Sequence, residues 1–151
     1  MDKASRLEYL RRWLLLVFPS YLRYLSMMDK SRMWSDRFPL AMRVTVQRVL
    51  EEETAYCQTL ADEIEELGEY PELASYPEDA GRLNYLEMSV AIQKTIERLE
   101  YNLALLGKDR IDVTQDEEMA ELLENGIAIT QQHIDALRPM AQSFSSNATQ
   151  A

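Results

Sequence analysis

Apolar residues recur along this chain at intervals of three and four, the spacing of one helical face. Four long segments carry the pattern. The first, from about Ala4 to Lys30, has the stripe Leu7, Leu10, Leu14, Val17, Tyr21, Leu25 and Met28. Asp2 or Ser5 is placed to cap it, and Pro19 is expected to kink it or split it in two. The second, Leu40 to Leu67, follows Phe38-Pro39 and carries Val46, Val49, Leu50, Glu53, Cys57, Leu60, Ile64 and Leu67, with Gly68 at the C-cap. The third, Leu83 to Leu106, carries Tyr85, Met88, Ile92, Ile96, Leu99, Leu103 and Leu106, with Gly107 as its expected cap. The fourth, Thr114 to Arg138, opens on a Thr114–Glu117 capping box. Its stripe is Met119, Leu122, Leu123, Gly126, Ile127, Thr130, His133, Ile134 and Leu137, and Pro139 is expected to stop it.

The connections constrain topology. The first and third are short, so the helices they join should pack antiparallel. The middle connection, Gly68 to Arg82, is longer and contains Pro71 and Pro77. A helix of nearly thirty residues is about 40 Å long at 1.5 Å per residue. Fifteen extended residues reach roughly 50 Å. The middle connection is therefore long enough to run the length of a bundle and make the second and third helices parallel. The expected fold is all-α: a four-helix bundle over residues 1–140, two antiparallel hairpins joined by a long crossover; an up-down-up-down bundle would not need so long a connection, though it could tolerate one. A polar tail over 141–151 is expected to be disordered.

Composition narrows the function classes. The 151 residues suit one domain. A net charge of −10 disfavours nucleic acid and anionic membranes as partners. Cys57 is the only cysteine, which excludes an internal disulfide and a zinc cluster and is compatible with a reducing cytoplasm. The apolar run Trp13 to Phe18 is too short to span a bilayer and has no small-residue cleavage pattern after it. A cytoplasmic protein is expected.

The specific signal lies in polar residues on the apolar stripes. Glu53 interrupts the stripe of the second helix, with Tyr56 one turn on. His133 and Thr130 lie on the stripe of the fourth, and Gln93 lies beside that of the third. A buried carboxylate must be paired, hydrogen-bonded or metal-bound. His133 has an ordinary alternative reading as a satisfied core histidine. Cys57 reads as buried and inert rather than as a nucleophile.

At these residues the chain resembles the bacterioferritins, within the ferritin-like superfamily. EEETAYCQTLADEIEELGEYPEL looks like their second helix and its exit. LEMSVAIQKTIE is similar to the third, and LLENGIAITQQHIDAL resembles the fourth. Two-iron bundles take one Glu from each of two helices and Glu-x-x-His from each of the other two. The resemblance implies that Glu53 matches a ligand Glu and His133 a ligand His. Tyr56, Thr130 and Gln93 replace His, Glu and Glu, and Val17 stands about where the first Glu would be. Thr54, not Met, follows Glu53, so the haem ligand position is empty.

Two of six ligand positions keep a ligand residue. The expectation is a degenerate site with no cofactor, in which Glu53, Tyr56, Gln93, Thr130 and His133 form a buried polar cluster and Glu53 and His133 an ion pair. Iron or another divalent metal on Glu53 and His133 is the alternative. The expected role is an oligomeric structural or interaction module without ferroxidase activity. The alternative is an iron-binding ferroxidase or storage protein with an unusual ligand set. The aromatic residues Trp13, Phe18, Tyr21, Tyr24, Trp34 and Phe38 either bury against a partner, giving a homodimer, or fill the core beside Pro19.

Overall fold

A computed structural model describes residues 1–27, 39–73 and 88–150. Those residues form helices α1 (Lys3–Val17), α2 (Tyr21–Met27), α3 (Leu40–Glu66), α4 (Met88–Lys108), α5 (Arg110–Val113) and α6 (Glu117–Gln150), with no strand among them. The protein is all-α. No helix among the described residues is long and apolar enough to cross a membrane.

Pro19 splits the first segment. α1 starts on Asp2, whose carboxylate accepts from the Ser5 amide at 2.8 Å. It ends at Val17, and α2 restarts at Tyr21 with Ser20 as its cap: the Ser20 hydroxyl accepts from the Arg23 amide at 3.0 Å. α3 keeps its expected span and closes on Gly68, whose φ of 84° suits a residue without a side chain.

Three expected boundaries are corrected. Gly107 does not cap α4; the helix runs through it to Lys108, and Leu106 beside it is fully buried. Thr114 does not cap α6. Asp116 does, its carboxylate accepting from the Met119 amide at 3.2 Å, while the Thr114 hydroxyl turns back to the Arg110 carbonyl at 2.8 Å. Pro139 does not stop α6, which continues to Gln150 through residues expected to form the polar tail. Proline removes one helical N–H and strains the preceding turn, about 3 kcal/mol. Here Pro139 is solvent-exposed while Leu137 and Met140 are buried, and Phe144 packs on the same core. Beyond the proline, burial of Met140 and partial burial of Phe144, at up to roughly 1.5–3 kcal/mol for each such side chain, offset its cost.

Side-chain contacts fix how the long helices pair. Lys3 at the start of α1 meets Glu69 just beyond α3 at 3.8 Å, and Arg23 in α2 donates to Thr54 in the middle of α3. α1 and α3 therefore run in opposite senses. Arg138 in α6 donates to Glu100 in α4, and Leu106 shares a core cluster with Met119 and Leu123. α4 and α6 are thus also opposed. The core divides into two clusters. One, around Val46, Val49, Ile92, Ile96 and Ile134, lies towards the N-terminal ends of α3 and α4. The other, around Leu10, Trp13, Leu60 and Leu123, lies towards their C-terminal ends. Trp13 is wholly buried, and its indole N–H donates to Asp109 at 2.9 Å; Arg12 holds the other Asp109 oxygen at 2.8 Å.

The aromatic group near Pro19 stays largely within the chain. Trp13 and Tyr21 are buried, and Phe18 and Tyr24 are half-buried. Trp34 and Phe38 lie outside the described residues, as do Tyr85 and the connection beyond Leu73.

Candidate functional site

The break at Pro19 shapes the most unusual polar site. Glu53, on the inner face of α3, is 2% exposed. The Ser20 hydroxyl that caps α2 also bonds the Glu53 carboxylate. Among the described residues the Glu53 Oε2 atom has no hydrogen-bond partner. Burial pushes this carboxyl up to about 7, against the opposing pull of Ser20 and Arg23.

Arg23 is anchored beside it. Its Nε donates to the Phe18 carbonyl at 3.0 Å, its Nη1 to the Thr54 hydroxyl at 3.1 Å, and its guanidinium lies 4.7 Å from the centre of the Phe18 ring. Its buried Nη2 has no partner among the described residues. Cys57 follows one turn after Glu53. Burial pushes its thiol up to about 12, so it stays neutral and unreactive, as expected from its place on the stripe.

His133 is equally buried, at 2% exposure, but its partner is not Glu53. Its Nε2 lies 3.0 Å from an oxygen of Glu52. Burial pulls the imidazole down, more than Glu52 raises it. The expected Glu53–His133 ion pair is therefore replaced by two separate arrangements. Successive residues point about 100° apart around a helix. Glu52 turns towards α6 and Glu53 towards α2.

The other expected members of the cluster also go elsewhere. The Tyr56 hydroxyl donates to the Leu122 carbonyl at 3.0 Å and lies against Gly126. The Thr130 hydroxyl donates to the Gly126 carbonyl of its own helix at 2.7 Å. Gln93 is exposed, and Thr95 is the buried polar residue on that part of α4, donating to the Ala91 carbonyl at 2.8 Å. Val17 is buried and apolar. A two-metal centre needs several convergent carboxylates and imidazoles. These residues do not fit one: Tyr56 and Thr130 turn to backbone carbonyls, Gln93 faces solvent, and Glu53 and His133 engage different partners. Among the described residues no three His, Cys, Asp or Glu side chains group as a metal site.

Sequence reasoning missed Ser20, Arg23 and Glu52. Ser20 carried a readable signal, a cap residue directly after a helix-breaking proline. Arg23 and Glu52 carried none, because their roles depend on which helix lies opposite. Set against known proteins, the chain matches no family model, no curated protein and no solved structure.

Proposed function

We propose that this chain is a ferritin-like four-helix bundle of the cytoplasm whose two-metal site has degenerated, and that it serves as a homo-oligomeric, most simply dimeric, structural or interaction module. Its sequence resemblance is to bacterioferritins. Helix direction supports the reading. α1 opposes α3, α4 opposes α6, and α3 also opposes α6, since Glu52 meets His133 while Tyr56, further along α3, meets Leu122, earlier on α6. α3 and α4 then run in the same sense, which is what two antiparallel hairpins joined by a crossover require.

One observation supports the loss of metal chemistry: the polar side chains at four of the six ligand-equivalent positions engage other partners. His133 is taken by Glu52, Tyr56 and Thr130 by backbone carbonyls, and Glu53 by Ser20. The acidic surface accords with a partner that is neither nucleic acid nor anionic membrane. The test is ferrous-iron oxidation by the full chain, with mass measured by light scattering in the same preparation. The reading expects oxidation at the protein-free rate and a mass twice that of one chain. Catalytic oxidation, or a monomer at all concentrations, would overturn it.

The second reading, an iron-binding protein with an unusual ligand set, has one observation in its favour. Glu53 Oε2 is a buried carboxylate oxygen without a partner among the described residues. Iron retained by wild type and lost in Glu53→Gln would favour it.

A further inference from the structure

Charge is distributed unevenly along α3. Its only basic residues, Arg43 and Arg48, lie in its first third, where no acidic residue occurs. Its last turns carry Asp62, Glu63, Glu65 and Glu66 and no base. Such a helix complements a second copy of itself when the two run antiparallel; a parallel pair would set acid against acid.

Ala55 lies midway between the charges. Arg48 precedes it and Asp62 follows it by seven residues, so the three fall on one strip of the helix, and all three are exposed. A two-fold axis at Ala55 sets this residue against its own copy. It sets Arg48 against Asp62 of the second copy, about 10 Å from the axis. The same inversion brings Leu40 and Val44, 75% and 58% exposed at one end of α3, towards Tyr70, 86% exposed just past the other end.

The surface around Ala55 suits such a contact. A groove of about 420 Å³ between α3 and α6 is lined there by Ala55, Thr59, Asn125, Ala128 and Gln132. Among the described residues its one charged lining residue is Glu52, already engaged by His133 at 3.0 Å and Arg48 at 3.7 Å. Copies of a chain with net charge −10 repel each other least across an uncharged face, and small side chains let helices approach closely. Past Leu122 and Asn125 the groove opens onto Glu63, Glu66, Glu118 and Glu121. Burial, with Glu66 and Glu118 nearby, holds the Glu63 carboxyl above its ordinary range. A base from another copy would relieve this crowding.

From the self-complementary charge of α3 and the uncharged groove at its centre, we propose that α3 and α6 form the interface with a second copy of this chain, the two α3 helices antiparallel about Ala55. The inference rests on the dimeric reading above and names the surface that makes the dimer.

Light scattering of the full chain over a range of concentrations tests it. Wild type should be dimeric. Ala55→Glu sets like charges together on the axis and should weaken association by about tenfold or more. Position 55 is exposed, so circular dichroism should show the fold kept. Arg48→Asp and Asp62→Arg should each weaken the dimer, and the two together should recover most of the loss. Ala55→Cys should give a disulfide-linked dimer on mild oxidation, since the native Cys57 is buried and stays neutral. Leu15→Cys, exposed on α1, should not. A wild type that stays monomeric overturns the dimeric reading and this inference with it. A dimer that persists in folded Ala55→Glu, or that links through Leu15→Cys and not Ala55→Cys, overturns this inference alone.

Discussion

Tyr56 lies directly against Gly126, close enough that a β-carbon on residue 126 would overlap the phenol ring. The contact joins α3 to α6 where the Tyr56 hydroxyl reaches the Leu122 carbonyl. Glycine inside a helix is unfavourable by about 1 kcal/mol relative to alanine, so propensity alone would make Gly126→Ala stabilising. Overpacking works the other way, by about 1–3 kcal/mol. We predict net destabilisation in Gly126→Ala. The effect should vanish or reverse in a Tyr56→Ala background, because the ring is then gone. Chemical denaturation of the four proteins of that cycle measures it. Equal effects of Gly126→Ala in both backgrounds would refute the packing account.

Glu53 should make stability depend on pH. Its carboxyl ionises at about 7 in the folded chain against 4.5 when free of the fold. Between these values the folded state holds the extra proton, so stability contributed by Glu53 is present below about 4.5 and is lost as pH rises through about 7. The full difference is on the order of 3 kcal/mol. Glu53→Gln cannot ionise and keeps hydrogen-bonding capacity. Its melting temperature should gain on wild type as pH rises from 5 to 8. Glu53→Ala should melt below Glu53→Gln throughout, and parallel pH curves for wild type and Glu53→Gln would contradict the assignment.

His133 has the opposite slope. Burial lowers its imidazole from the ordinary 6.5, so the unfolded chain takes up a proton first as pH falls. The stability it contributes is present above about 6.5 and is lost as pH drops through the folded value. Glu52 offsets part of this by favouring the charged ring. We expect Glu52→Gln to lower the His133 titration midpoint further, as read from imidazole NMR shifts. An unmoved midpoint would show that the 3.0 Å contact is not electrostatically important.

Pro139 tests whether burial carries α6 onward. Pro139→Ala restores a helical donor at an exposed site, so it should stabilise by up to about 3 kcal/mol. Phe144→Ala should destabilise, because Phe144 packs on the cluster with Leu137 and Met140. Melts in which neither substitution has an effect would mean that the helix beyond Pro139 contributes nothing to the fold.

Much of this was legible in the sequence, and the limits have physical reasons. Hydrophobic spacing located the long helices and put Glu53 and His133 on buried faces, because a stripe reports which side of a helix is dry. It does not report what lies opposite. Glu52 and Glu53 are neighbours in sequence, yet one meets His133 and the other Ser20. Gln93 was misplaced because the inner face of α4 includes Ala91, Thr95 and Asn102, small or polar residues that a count of large apolar side chains overlooks. Gly107 and Pro139 are local stop signals that packing overrides; Gly68, with positive φ and only a lysine tip near a would-be β-carbon, is the one that acts as read.

Under the proposed function the ligand-equivalent residues hold no metal centre. Elemental analysis tests it most directly, on full-length protein expressed with added iron and manganese and purified without chelators. Well under one atom of either metal per chain is expected, unchanged in Glu53→Ala and His133→Ala. One or two atoms per wild-type chain, lost in those two variants, would contradict it.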